Sequence, residues 1–225
     1  MRPSLHIQDT YSMTDHVMTA PRTVRFWDKI AARYARSPVA DEAAYQRKLT
    51  VTQSYMRPEM EVFEFGCGTG STALVHAPYV RHIQATDISD RMLDFARAKA
   101  ADAGVTNVSF ARASIEEWDP GETRYDMVMG HSILHLLEDK EAALAKVHDM
   151  LKPGGLFVSS TVCMKETMSY FKLIAPIGRA LGLLPILRIF SAQELEDSVK
   201  AAGFVIEHRW KPSKSLAAFL VARKA

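Results

Sequence analysis

Three glycines at alternate positions, preceded by an acid, carry the clearest chemical potential in this chain: Glu64-Phe65-Gly66-Cys67-Gly68-Thr69-Gly70. Glycine is needed where φ is positive or where a ligand must touch the backbone. The apolar run before it, from Val62 to Phe65, reads as a buried strand that enters a tight loop, with a helix to follow. Such a unit aims backbone N–H groups at a ligand. A second acid, Asp87, ends the next strand-like stretch, His82–Asp87. A carboxylate at a strand tip has enough lone pairs to accept from both hydroxyls of a ribose. Its other reading is a helix N-cap, a task open to Ser89 or Asp90 as well. Spacing separates the ligands. A dinucleotide loop is G-x-G-x-x-G, and Ser71 stands here where its third glycine belongs. Taken alone, the loop is also compatible with a nicotinamide site or with a turn that binds nothing.

His131 and His135 follow a predicted fourth strand, at the carboxyl edge where ligands bind in parallel sheets. Histidine titrates near neutrality and is able to take a proton from a hydroxyl. His131 reads as pocket lining, as a general base or as structural. His135, at a helix start, reads as packing or a cap. Trp27 reads as core, and Arg47 and Lys48 as solvated helix charges, with the carboxylate of a cofactor as their alternative partner.

Positioning these residues requires an alternation of strands and helices. Phe26, Trp27, Ile30, Ala31, Tyr34 and Ala35 form a helical stripe from Val24 that Ser37-Pro38 stops. A second helix is predicted from the cap Asp41 to about Met56. After Asp87 a helix runs to about Ala103, with Gly104 as its left-handed stop. Strands are predicted over 105–112, 125–129 and 156–161, the last after the turn Lys152-Pro153-Gly154-Gly155. A helix over 139–150 lies between the last two. Ser191 and Glu194 form a capping box for a helix that ends at Gly203. The final strands, 204–210 and 215–222, lack room for a crossover helix, so they form a hairpin. The expected fold is α/β: a mostly parallel sheet with helices on both faces and one antiparallel strand.

Composition agrees. A chain of 225 residues, 48% hydrophobic and 24% charged, suits one globular domain. A net charge of +2 without a block of like charges gives no reason to invoke nucleic acid. The two cysteines, Cys67 and Cys163, match no metal spacing and fit a reduced, cytoplasmic compartment. Residues 1–22 have no apolar core of a signal peptide and read as a mobile segment. The apolar stretch 164–190 is broken by Lys172, Pro176, Arg179, Pro185 and Arg188, too often to span a bilayer.

The pattern acidic-x-G-x-G-x-G resembles the first motif of the class I S-adenosylmethionine-dependent methyltransferases. Tyr125-Asp126-Met127-Val128 is similar to the family's fourth-strand motif. Ser132-Ile133-Leu134-His135-Leu136 is similar to the segment after it in the ubiquinone-biosynthesis-like small-molecule members. Leu151-Lys152-Pro153-Gly154-Gly155 resembles the turn before strand five. The resemblance covers Glu61 to Arg223 and implies a seven-stranded Rossmann-like sheet of order 3-2-1-4-5-7-6 with strand seven antiparallel. It implies S-adenosylmethionine as cofactor and S-adenosylhomocysteine as product. Glu64, Gly66, Cys67, Gly68 and Gly70 are then expected around the methionine part, with the ammonium near the backbone of Gly66 and His131. Asp87 is expected on the ribose, and Ile88 and Met92 on the adenine. Ser114 stands where the family often has an aspartate, so adenine binding would rest more on the backbone of Ile115 and on stacking. Tyr34 and Tyr45 lie where the family's N-terminal helices often fold over the cofactor. An aromatic face there would favour a sulfonium, and the apolar side of a lid helix is the equal alternative.

The resemblance therefore implies transfer of a methyl group to a small-molecule acceptor, with an apolar or lipid-like one included. A non-catalytic cofactor-binding partner or regulatory subunit is the alternative. His131 is the candidate base. Expected divisions are helices over 23–58 as part of a lid, a methyltransferase domain over 59–225, and a cap insertion over 164–190. That insertion reads as an acceptor-lining lid, a peripheral membrane contact or plain core. No metal, no nucleic acid and no stable membrane insertion are expected, and the chain is read as a monomer or homodimer.

Overall fold

Val62, Phe63, Glu64 and Phe65 are all buried because their strand lies mid-sheet with both faces covered. The computed structural model describes residues 22–165, 187–211 and 217–225. Two helices lead, α1 (Arg22–Arg36) and α2 (Glu42–Ser54). Then come β1 (Glu61–Phe65), α3 (Ser71–His76), β2 (His82–Asp87), α4 (Asp90–Asp102), β3 (Val108–Arg112), β4 (Tyr125–His131), α5 (Lys140–Met150) and β5 (Leu151–Val162). Helix α6 (Ala192–Ala201) and strands β6 (Phe204–Trp210) and β7 (Ala217–Lys224) close the fold. The sheet order is β3-β2-β1-β4-β5-β7-β6, with β7 antiparallel to β5 and β6 and the other pairs parallel. This is the expected topology, including the hairpin.

Alternation sorts the apolar residues into two layers. Phe63, Val128, Phe157 and Leu220 point to one face, where they meet Leu144, Val147, Leu195 and Val199 of α5 and α6. Val62, Met127, Val158 and Val221 point to the other, with Ala73 of α3 and Leu93 of α4. Burying each large side chain contributes about 1.5–3 kcal/mol. Local signals set the helix ends. Asp41, Ser89 and Asp139 accept from the backbone N–H of Ala44, Met92 and Ala142. Ser191 and Glu194 form the complete capping box, and Gly203 leaves α6 at φ +90°.

Some boundaries move. Strand β3 starts at Val108 because Val105 N–H bonds Ala100 O and the Asn107 amide bonds Ala77 O and Val80 O. Helix α3 is short because Pro78 follows it in a 3₁₀ turn, Ala77–Tyr79. The turn before strand five lies within β5: Tyr125 pairs with Leu151, and the ladder resumes at Met127 and Leu156. Strand β7 lies two residues later than expected. Residues 1–21 and 212–216, with most of 164–190, lie outside the described residues. The insertion's two ends meet, with Lys165 N–H bonded to Phe190 O at 3.3 Å and the Phe190 side chain in the core. Among the described residues no helix is long and apolar enough to cross a membrane.

Candidate active site

The glycine loop leaves β1 at the point where β2 and β4 flank it on opposite sides. Cys67 N–H bonds Thr86 O at 2.9 Å, and Gly68 N–H bonds Asp87 Oδ2 at 2.9 Å. Lys99 of α4 holds the loop's far side through Thr69 Oγ1 and Ser71 Oγ, each at 2.9 Å. Gly66 has φ +64°, and a Cβ there would lie 2.7 Å from Ile133 Cγ1. Gly68 has open space, with only Tyr34 Cε1 within reach, at 3.7 Å. Gly70 differs. Its φ is +72°, a Cβ would meet Ala96 Cβ at 2.8 Å, and it lines neither of the cavities described next. It seats the loop on α4 and β3.

A cavity of about 640 Å³ opens on one side of the loop. Asp87, Ile88, Met92, Ser114 and Ile115 line it with Gly66 and Gly68, as the sequence grouped them. Asp87 Oδ1 also accepts from Ser89 N–H at 2.9 Å, so each oxygen takes one backbone bond and keeps acceptor capacity. Burial raises the Asp87 pKa, and the N–H groups of Ser89, Gly68 and Ile88 oppose that shift. Ser114 serves a turn as well: its Oγ accepts from Glu117 N–H, and Glu117 Oε2 accepts from Ser114 N–H, both at 3.2 Å. Trp27, read as core, instead lines this cavity, with its ring edge-on to Tyr34 at 6.5 Å.

A second cavity of about 480 Å³ lies beneath α2, and Tyr34, Gly66, His131 and Ser132 line both. Its lining is mixed: Val39, Ala44 and Leu49 stand beside Glu64, His76, His131, Tyr45 and Lys48. Burial, then Asp87, pushes Glu64 up to about 8, and its Oε2 has no partner among the described residues. Burial alone brings His76 down to about 4 and, with His76 and Lys48 adding, His131 to about 3. A histidine so depressed stays neutral and is a weak base in the empty site, which argues against the general-base reading of His131. The Cys67 thiol is held protonated by burial. Desolvation of their hydroxyls raises Tyr34 and Tyr45, which remain donors, although Tyr34 as a whole is 49% exposed. His135 is buried and depressed to about 4 as well, and its carbonyl accepts from Arg188 N–H at 2.8 Å, a packing role.

Sequence reasoning passed over three of these side chains. Thr72 and His76 sit at i, i+4 on α3, a shared face that the spacing does reveal. Ser160 carries no local signal. Lys48 is not a solvated helix charge: its Nζ donates to Ser160 Oγ at 2.8 Å. Arg47 points elsewhere, over the Trp210 ring at 4.3 Å.

Glu64 makes the site sensitive to pH. Its folded value of about 8 exceeds the ordinary 4.5, so its contribution is complete below 4.5 and is lost as pH rises through 8. Asp87 shifts in the same sense from a lower ordinary value. His76 and His131 act oppositely, and their loss occurs only below 6.5. Stability of the ligand-free protein is therefore expected to fall between about pH 6.5 and 8. Glu64→Gln should flatten that slope in urea melts, and an equal slope would show that Glu64 is already ionised.

Comparison with known proteins fits this geometry. A family model described as a methyltransferase domain matches residues 62–155. A ubiquinone/menaquinone biosynthesis C-methyltransferase of Psychromonas ingrahamii is 30% identical over 179 residues, covering 70% of this chain and 71% of that protein.

The chain belongs to the S-adenosylmethionine-dependent methyltransferases.

A highly reducing polyketide synthase of Fusarium mangiferae is also 30% identical, over 80% of this chain but 8% of its own length. The chain spans about 46% of further C-methyltransferases of the same name, such as that of Shewanella oneidensis. The N-methyltransferase NodS of Bradyrhizobium japonicum, solved with S-adenosylhomocysteine, has the same fold. Its TM-score is 0.70 at 15% identity, over 91% of this chain and 99% of that one. The residues present suit the family's cofactor. Asp87 offers free lone pairs beside apolar Ile88 and Met92, Gly68 leaves its backbone open, and Glu64 Oε2 and His131 Nε2 await partners.

Proposed function

We propose that this chain transfers a methyl group from S-adenosylmethionine to a small molecule held in the part of the second cavity that the cofactor's methionine end, beside Glu64 and Cys67, leaves open. The observation that carries the reading is the wall shared by the two cavities at Tyr34, Gly66, His131 and Ser132. When bound, S-adenosylmethionine supplies an electrophilic methyl carbon on its sulfonium. Asp87 would hold the ribose hydroxyls, Ile88, Met92 and Ile115 would pack on the adenine, and the backbone at Gly66 and Gly68 would meet the methionine part. Glu64, ionised by the nearby ammonium, would balance its charge. The Tyr34 ring beside Gly68 would exclude water and offer its face to the cation. For such a displacement, placement and dryness are the main contributions of the protein.

Helices α1 and α2 form part of a lid in this reading, since Trp27 and Tyr34 line the first cavity and Tyr45 and Lys48 the second. The polar side chains within the mixed lining of the second cavity, Lys48, Ser160 and His131, support a polar reacting end on the acceptor. An apolar or lipid-like body belongs to the reading only through the stretch 164–190, most of which lies outside the described residues. The buried thiols of Cys67 and Cys163 are in keeping with a reducing, cytoplasmic setting.

Calorimetry tests the core of the proposal. S-adenosylhomocysteine is expected to bind and NAD is not. Tight NAD binding would sink the assignment. Formation of S-adenosylhomocysteine with a panel of small acceptors then separates an enzyme from a silent binding partner.

A further inference from the structure

Lys48 reaches from α2 across the second cavity to Ser160 at the carboxyl end of β5. Ser160 is buried and stands directly beside His131 in the β4–β5 register, at the wall shared with the first cavity. The ammonium has three hydrogens, and Ser160 Oγ takes one. Among the described residues no carboxylate lies within ion-pair distance of it. Burial lowers the pKa of Lys48, and Asp41 opposes that shift only in part; Oδ1 of that carboxylate is engaged in capping α2 through Ala44 N–H at 2.9 Å. The other lysine of the cavity, Lys99, is already spent on Thr69 and Ser71. Glu64 lines the same cavity but makes no ion pair with Lys48, and in the reading above its charge belongs to the cofactor's ammonium. A neutral, apolar occupant would leave this ammonium desolvated and unmatched, whereas an anionic oxygen would complete it.

We propose that Lys48 and Ser160 form a subsite for an anionic oxygen of the methyl acceptor, as in a carboxylate or phenolate. This rests on the reading of the second cavity as the acceptor site. An oxygen held there anchors the acceptor at β5 and leaves the rest of the molecule beside His131 and the shared wall. The subsite selects acidic acceptors over neutral ones of the same shape.

Benzoate and its neutral isostere benzamide are the probes, titrated by calorimetry and NMR into protein saturated with S-adenosylhomocysteine. Benzoate is expected to bind at least about tenfold more tightly than benzamide. Lys48→Met should remove that preference, and Lys48→Arg should keep most of it, with thermal melts checking that both variants fold. Equal affinity for the two probes, or benzoate binding unchanged in Lys48→Met, would overturn the proposal. So would one further pattern: Lys48→Met weakens S-adenosylhomocysteine binding but not that of 5′-methylthioadenosine, which lacks the amino-acid end. The lysine would then serve the cofactor's carboxylate. If the wild-type protein fails to bind S-adenosylhomocysteine, the methyltransferase reading falls. Benzoate titrated into the ligand-free wild type and Lys48→Met still reports on the subsite.

Discussion

Asp87→Ala is expected to weaken S-adenosylhomocysteine binding by about a hundredfold. Two ribose hydroxyls lose a charged acceptor, and such bonds contribute roughly 1.5–3 kcal/mol each, near the lower end at a partly solvated edge. The same carboxylate also holds Gly68 N–H and Ser89 N–H, both at 2.9 Å, so its removal loosens the loop as well. Asp87→Asn should lie between, since its amide oxygen still accepts from one of the two N–H groups. Calorimetry on folded variants decides. Unchanged affinity in Asp87→Ala would mean that the ribose is held by other groups.

The second large effect concerns stability. Gly70→Ala places a Cβ 2.8 Å from Ala96 Cβ and 3.1 Å from Phe110 Cε1, at φ +72°. Left-handed backbone costs a non-glycine residue about 1–2 kcal/mol, and overpacking adds about 1–3. A fall in Tm of about 10 °C follows for a chain of this size. Affinity for S-adenosylhomocysteine in the protein that remains folded should change little, because Gly70 lines neither cavity. A normal melt with lost binding would instead assign Gly70 to the ligand, the role that its place in the motif suggests.

That contrast between Gly66 and Gly70 marks what sequence reading reaches. The loop, its acid and the caps at Asp41, Ser89 and Ser191 were legible because each depends on residues a few positions away. The alternation of strands and helices, with too few residues for a final crossover, was enough for the class of sheet. Its strand order came from the resemblance. The different tasks of the three glycines were not legible, because they depend on Ile133, Tyr34 and Ala96, which lie elsewhere in the chain. Trp27 showed the same apolar stripe whether it covered a core or a cavity. Lys48 looked like any helix-surface cation, since its partner Ser160 is 112 residues away. The depressed histidines were equally hidden, for burial of a ring is a property of packing rather than of neighbours in sequence.

The distance between Lys48 and Ser160 also bears on the order in which the molecule is assembled. The roof of the second cavity is made at the start of the described chain, and its floor is the far end of β5. Glu61 N–H likewise waits for Asp126 Oδ2, a partner 65 residues on. Contacts so remote close large loops, and their entropy must be overcome before they stabilise anything. On a ribosome, α2 and the glycine loop emerge well before β4 and β5 exist to complete them. A nascent chain halted before Ser160 would lack the floor, and His131 would stand without its β5 neighbour. Ligand capture is thus a late event in the life of this chain, and it reports that the centre of the sheet has closed.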